Sequence, residues 1–459
     1  MKKIILRSIL ALVTLAFLYG VYYAWRALPI YTAYSAKIMC SCVFISDRDQ
    51  SSVLAEDLSS FGMANLNVNY LDSTVTSNVM GLAPRTAVFR DGLGCTLALG
   101  VTSEELKSER VHIIKPDARQ ANNYWPTGDN FAGGEFPAEL DEDVLDRALN
   151  IVFEEKSPDY LQGTRAVIIV YKGKIIAERY AQGYTKNTPL VGWSMTKSVI
   201  NALVGILTQM NLLHLDDDHL FEEWSGDGDP RSKITLDQLL RQSSGLKWDE
   251  IYGGYSDATR MLLNAPSPPS IPLSKSLEFP PDSRWEYSSG TTNLISELIR
   301  RKIGGDNNQY WNFPHNFLFN KLGMRSAIIE PGPDGTFVGS SYMYASARDW
   351  ARFGLLYLND GVWNGDKILP PGWVEYIQQP TPKAPRQKYA AHFWRTKGED
   401  GSGPDMPKDA YHMAGYEGQK VVIIPSYDLV IVRLGFSQPE SNWDFTGFVE
   451  EVVRAFPYR

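Results

Sequence analysis

The stretch GWSMTKSVINALVGIL, residues 192–207, restricts the fold more than any other part of the chain. As a helix it carries Val199, Ile200, Leu203, Val204, Ile206 and Leu207 around nearly its whole circumference, so other elements must enclose it. Lys197 nevertheless sits inside this apolar segment, three residues after Ser194. An unpaired ammonium there would cost several kcal/mol, which a polar constellation or a lowered pKa relieves. On a helix beginning at Ser194 the two side chains share a face one turn apart. A deprotonated lysine is a base: it can take the Ser194 proton and make an acylating nucleophile, while the helix N-terminus favours developing negative charge.

S-x-x-K alone is weak, because Ser244-Gly-Leu-Lys247 matches it too. There the glycine reads as a helix stop, so no helical turn returns Lys247 to Ser244. Support for Ser194 and Lys197 comes from PPDSRWEYSSGTTN, residues 280–293, where Tyr287 lies in a short loop before a helix with Ser289 beside it. A tyrosine near a serine and a lysine can pass a proton to a leaving group. Tyr310-Trp-Asn312 competes for that role, but Tyr310 reads as a packed aromatic. The third element is YHMAGYEGQKVVIIP, residues 411–425, in which Gly415 and Gly418 interrupt a strand pattern and signal close approach of another backbone or a ligand. The amides of Tyr416 and Ser194 are the expected oxyanion donors. Ser289, Gly415, His412, Trp248 and Trp285 are the expected substrate contacts, with Tyr255 a further aromatic at the pocket mouth.

Around these motifs, residues 141–155 space apolar side chains like an amphipathic helix, and residues 166–181 read as two strands joined at Lys172-Gly173. Residues 420–435 read as two more strands around Pro425 to Asp428, before a C-terminal amphipathic helix. The middle is mostly helical, with start signals at Thr235 and Ser346 and terminators at Gly245 and Gly304-Gly305. The expected fold is α/β: an antiparallel sheet built from both ends of the domain and flanked by helices, plus an all-α subdomain.

The N-terminus differs in kind. Lys2, Lys3 and Arg7 precede an uncharged, mostly apolar run from Ser8 to Trp25 that, at roughly 1.5 Å per residue, nearly crosses a bilayer core. It reads as an uncleaved transmembrane anchor with the body exported to the periplasmic or extracellular side. A signal peptide, giving a secreted body, is the competing reading, but no clean small-residue cleavage site follows. Residues 1–26 are therefore assigned to the anchor, 27–114 to a small accessory region of short β-prone runs (CVFI among them), 115–139 to a linker or wrapping loop, and 140–459 to the main domain. Of the three cysteines, Cys95 can bridge to Cys40 or to Cys42.

A net charge of −8 with no basic run argues against nucleic-acid partners. HLDDDHLFEEW, residues 214–224, reads as a solvated acidic turn, so neither metal nor cofactor is expected. A Ser-His-Asp hydrolase using His412 and Asp428 is the rival scheme, but Thr196 replaces the second glycine of G-x-S-x-G. The polar loop of residues 395–409 is either a pocket rim or an uncommitted surface loop.

Residues 140–459 resemble the serine β-lactamase and penicillin-binding-protein superfamily, in its class C-like branch of esterases, DD-peptidases and aminohexanoate-dimer hydrolases. Ser194-Met-Thr-Lys197, ITLDQLLRQSSGL, Tyr287-Ser-Ser289, YASARDWARFG and GYEGQKVVIIPSYDLVIV follow in that family's order. The resemblance implies a two-part fold with the site between the parts, an acyl-enzyme on Ser194, acid–base work by Lys197 and Tyr287, and a small-molecule ester, amide or peptide substrate. D-Ala-D-Ala carboxypeptidase or weak β-lactamase activity is one alternative, and an inactive anchored binding module another. The family's Lys-Thr-Gly on the third strand is replaced here by Met413, Ala414 and Gly415, which removes the expected carboxylate grip.

Overall fold

The computed structural model describes residues 2–109, 111–114, 122–130, 136–155, 161–304, 306–396 and 406–457. Residues 397–405 of the polar loop, and parts of the 115–139 segment, lie outside these. The first element is a helix, α1 (Lys2–Phe44), whose residues 4–26 are exposed while most of residues 30–43 are buried. The helix thus continues 18 residues beyond the expected anchor boundary at 26, through Pro29, and takes in CVF of the CVFI run. The reason is tertiary. Ala33, Ala36, Met39 and Cys40 pack against an antiparallel meander, β1 (Asn65–Asn69), β2 (Thr74–Val79), β3 (Leu82–Arg90) and β4 (Gly94–Leu97), through Val75, Ala87 and Cys95.

A disulfide joins Cys40 to Cys95, and Cys42 is free and buried. Lys37 and Ser41 of α1 both bind the buried carboxylate of Glu330, which also accepts from the Cys95 amide at 2.6 Å. The same apolar cluster contains Trp193, Trp248, Met261 and Tyr342. The N-terminal region therefore shares a core with the segment that carries Ser194.

The main body is mixed α/β. After helix α2 (Glu142–Phe153), strands β5 (Thr164–Tyr171) and β6 (Lys174–Tyr180) form the hairpin foreseen at Lys172-Gly173, with positive φ at both turn residues, 47° and 74°. Helix α3 (Thr196–Gln209) is buried from Thr196 to Leu207. Helix α4 (Ser289–Ile303) packs on α3 through Leu294, Ile295 and Leu298, while α5 (Ala347–Leu358) sets Gly354 against Val421 and Val430 and reaches α3 through the Tyr357 hydroxyl, which donates to Asn201 Oδ1 at 3.3 Å. Strands β7 (Trp394–Arg395), β8 (Tyr411–Gly415), β9 (Gln419–Ile424) and β10 (Leu429–Gly435) complete a six-stranded antiparallel sheet in the order β7-β8-β9-β10-β5-β6. Helix α6 (Phe445–Arg454) closes the chain against α2.

One local reading is corrected. Gly245 does not end a helix, because the preceding helix Leu236–Leu240 stops at its Arg241 cap. Gly245 instead lets the Phe279 backbone approach: a Cβ there would lie 2.0 Å from the Phe279 carbonyl oxygen. The described part of the 115–139 segment packs on the body, where the Asp129 carboxylate meets the buried Arg352 at 2.6 Å.

Candidate active site

Ser194 sits in a 3-10 turn, Trp193–Met195, that feeds directly into α3. Trp193 has φ 47°, a left-handed conformation that costs a non-glycine residue about 1–3 kcal/mol and persists only where its surroundings hold it. Here they do. The Trp193 indole N–H donates to Glu417 Oε2 at 2.8 Å, and its ring packs on Tyr34 and Tyr342. Burial in turn pushes the Glu417 carboxyl up to about 7.

Lys197 is 2% exposed, and its Nζ donates to Ser194 Oγ at 3.1 Å, Ser289 Oγ at 3.1 Å and the Ser340 carbonyl at 3.0 Å. The i, i+3 spacing read from the sequence thus becomes a direct hydrogen bond. Burial lowers the Lys197 pKa to about 8, and the nearby Glu250 carboxylate partly offsets that fall. Nζ also lies 4.8 Å from the centroid of the Tyr287 ring, and Tyr287 lines the same cavity as Ser194. Ser244 and Lys247 form no such pair: Lys247 is exposed, and its amide binds Ser276.

Sequence reasoning missed Glu250 and Tyr252. Ser289 Oγ donates to Glu250 Oε1 at 2.6 Å, and the Ser289 amide donates to Oε2 at 2.9 Å. Tyr252 Oη donates to Oε1 at 2.6 Å and lies 3.0 Å from Ser289 Oγ. A chain of contacts therefore runs from Ser194 through Lys197 and Ser289 to Glu250. No local signal marks it, since residues 250 and 252 belong to an irregular loop that only tertiary packing brings to Ser289. His392 was also unforeseen. Its Nδ1 lies 2.8 Å from the Lys197 carbonyl and its Nε2 3.2 Å from Thr292 Oγ1, and burial lowers its pKa to about 3, so this neutral ring ties α3 to α4.

The glycine reading at β8 acquires a physical cause. A Cβ on Gly415 would lie 2.1 Å from the Gly192 carbonyl oxygen, so only glycine lets the strand edge reach the turn that carries Ser194. Tyr416 follows at once, with its ring edge-on to Trp193 at 6.0 Å. A cavity of about 750 Å³ opens here, lined by Ser194, Tyr287, His412, Gly415 and Tyr416 among others. Ser289 lies behind its wall, bonded to Lys197.

Trp248 and Trp285 do not reach the lining. Trp248 packs under α4, where a Cβ on Gly290 would lie 2.6 Å from its ring, and Trp285 belongs to an aromatic cluster with Tyr287, Tyr389 and Trp394. Tyr255 stacks instead under the Arg26 guanidinium at 4.5 Å. Met413 is buried in the sheet and Ala414 lines the cavity, while a cation, Lys420, lines it from the register position opposite Ala414. His412 is 8% exposed with its ring against Phe445, and burial keeps its pKa well below the usual imidazole value. His412 pairs with Val422, which pairs with Ile431, so Asp428 lies two strands from His412 and three residues further along, and the Ser-His-Asp scheme lacks its geometry.

A family model described as Beta-lactamase matches residues 160–444. Over 308 residues the chain is 22% identical to an uncharacterized protein of Alkalihalophilus pseudofirmus, covering 60% of this chain and 85% of that one. It is 26% identical over 187 residues to the 6-aminohexanoate-dimer hydrolase of Paenarthrobacter ureafaciens, covering 37% of this chain and 45% of that protein. Among solved structures it is similar in fold to a Bacillus anthracis protein provisionally named a 6-aminohexanoate-dimer hydrolase, with TM-score 0.58 and 20% identity over 77% of this chain and 94% of the other. A penicillin-binding protein homologue from Caulobacter crescentus also shares the fold, with TM-score 0.52 and 15% identity over 69% and 99% of the two chains.

Proposed function

Since the chain belongs to the beta-lactamase family, we propose that it is a serine hydrolase that cleaves an ester or amide through an acyl-enzyme on Ser194. One observation carries the reading: a buried Lys197 amine, with its pKa lowered to about 8, bonded at 3.1 Å to the hydroxyl of Ser194 at the cavity wall. In this scheme neutral Lys197 accepts the Ser194 proton as Oγ attacks the carbonyl carbon. The amides of Ser194 and Tyr416 stabilise the oxyanion, an assignment supported by the close approach of β8 to residue 192. The proton then passes through Lys197 and Tyr287 to the departing oxygen or nitrogen, and a water molecule reverses the sequence. His412 and Gly415 contact the substrate, while Ser289 and Glu250 position the lysine. The scheme requires neither metal nor cofactor.

The long apolar N-terminal helix is consistent with a membrane anchor or a signal sequence. We assign it as an uncleaved anchor with the body exported, because the same helix continues without a break into the folded core and its Cys40 is disulfide-bonded, as an oxidising compartment permits. The substrate is a small ester, amide or peptide; nucleic acid is not a partner.

The test is covalent labelling by a fluorophosphonate probe alongside turnover of short esters, linear amides, D-Ala-D-Ala peptides and nitrocefin. Ser194→Ala and Lys197→Ala are expected to abolish labelling, His412→Ala to retain it, and Tyr287→Phe to keep the fold but lose most turnover. Failure of the native chain to label would leave an inactive binding module. Labelling that survives Lys197→Ala but not His412→Ala would restore the Ser-His-Asp scheme. Turnover confined to the peptides or nitrocefin would move the assignment to carboxypeptidase or β-lactamase.

A further inference from the structure

One wall of the cavity is supplied by α1. Tyr23, Ala27, Ile30, Tyr31 and Tyr34 all line the cavity that contains Ser194, and their spacing places them along one stripe of the helix. The stripe starts where the exposed apolar segment ends. Residues 4–26 are exposed, with Trp25 at 77%, and the last turns carry Tyr19, Tyr22, Tyr23, Trp25 and Arg26, the residue types that settle at a membrane–water interface. It finishes at Tyr34, whose ring stacks on Trp193, the neighbour of Ser194, at 6.5 Å. From Tyr23 to Tyr34 the helix rises about 16 Å.

The catalytic body grips α1 at this level. A Cβ on Gly254 would lie 2.6 Å from Tyr23 Oη, and Arg26 lies over the Tyr255 ring. The loop bearing Glu250 and Tyr252 therefore rests on the helix at the interface and presents Ile251 there, 62% exposed. Leu262, Leu263 and Phe61 add apolar surface to the cavity. The α1 lining thus runs from Tyr23, in the exposed segment, to Tyr34, which stacks on the neighbour of Ser194, and this order matches the polarity of an amphiphile drawn head-first out of a bilayer.

We propose that α1 is one wall of an acyl-chain site and that the substrate is a lipid ester of the bilayer that holds α1, its acyl chain lying along Ala27, Tyr31 and Tyr34 with the ester carbonyl at Ser194. The proposal rests on the serine-hydrolase reading and narrows its substrate class. Ser194 Oγ bonds to the acyl carbon, the ester C–O bond breaks, and the released alcohol takes the serine proton. Water then adds to the acyl carbon, the Oγ–C bond breaks, and the serine regains a proton, leaving a carboxylic acid whose tail already points back to the membrane.

The test uses the full chain in phosphatidylcholine nanodiscs doped with a phosphatidylcholine bearing a mid-chain diazirine, in the Ser194→Ala form so that the probe is not consumed. Photo-crosslinks mapped by mass spectrometry are expected on Ala27, Tyr31, Leu262 or Leu263; crosslinks confined to residues 4–25 would overturn the proposal. In the active protein, Ala27→Trp fills the stripe and is expected to lower the ratio of kcat/KM for dodecanoyl over acetyl p-nitrophenyl ester at least tenfold, and an unchanged ratio would overturn it. Dodecanoyl ester is expected to turn over at least tenfold faster in nanodiscs than with the chain in lipid-free amphipol. Equal rates would overturn the bilayer source and assign the site to a water-borne acyl ester. Crosslinks in the cavity with no ester turned over would refute the hydrolase reading and leave the acyl site standing, whereas turnover without cavity crosslinks would do the reverse.

Discussion

Replacing Glu250 by glutamine tests the proposed base directly, because it removes a charge while keeping the shape that Ser289 binds. Glu250 reaches Lys197 through Ser289 by hydrogen bonds of 2.6 and 3.1 Å, and its carboxylate raises the Lys197 pKa against the larger lowering by burial. At a separation on the order of 5 Å a unit charge pair is worth about 0.8 kcal/mol in water and about 3 kcal/mol at an effective dielectric of 20. Losing that interaction moves the lysine titration down by between about half a pH unit and two.

In the native chain, with Lys197 titrating at about 8, roughly one molecule in ten carries the neutral amine at pH 7. Glu250→Gln therefore makes fluorophosphonate labelling about threefold to tenfold faster at pH 7. The acid limb of the rate profile shifts down and the alkaline plateau marks any loss of alignment. Second-order labelling rates from pH 5 to 10 measure both. A limb that stays in place or moves to higher pH would refute the assignment of Lys197 as the base under the influence of Glu250. Stability carries the same sign: the folded chain releases the Lys197 proton near 8 and the unfolded chain near 10.5, so folding gains as pH rises through that window.

Gly415→Ala places a Cβ 2.1 Å from the Gly192 carbonyl and is expected to cost about 10²-fold in labelling rate by displacing one oxyanion donor. Gly226→Ala, with nothing within 4 Å, is the control, and equal rates for the two variants would refute the close-approach argument. Changing both Cys40 and Cys95 to serine opens a loop with sequence separation 55 and should cost about 4 kcal/mol of stability. A thermal midpoint unmoved by reduction of the native protein would show that the disulfide does not hold α1 to β4.

Local pattern carried much of the fold. The hairpin at Lys172-Gly173 and the strands on either side of Pro425 to Asp428 follow from alternation and turn chemistry, and the 142–153 and 445–454 helices from apolar periodicity. Ser194 and Lys197 were legible because three residues of helix put side chains on one face, and Gly415 because a glycine that interrupts a strand pattern signals close approach of another backbone or a ligand. What depends on three-dimensional packing left no such trace. Glu250 and Tyr252 sit in a loop without period, and nothing near them in the chain names Ser289 as their partner. Trp248 and Trp285 looked like pocket aromatics because composition does not distinguish a ring beside a cavity from one packed behind it.

The N-terminus divides the two kinds of information most sharply. Its apolar, uncharged run by itself determined a helix able to cross a membrane, because length and polarity decide that without reference to any partner. Where that helix stops, which cysteine it pairs, and that its next turns wall the cavity at Ser194 were decided only when the β1–β4 meander and the loop at residues 250–255 closed around it. Burial is a property of neighbours, and neighbours exist only in the folded chain.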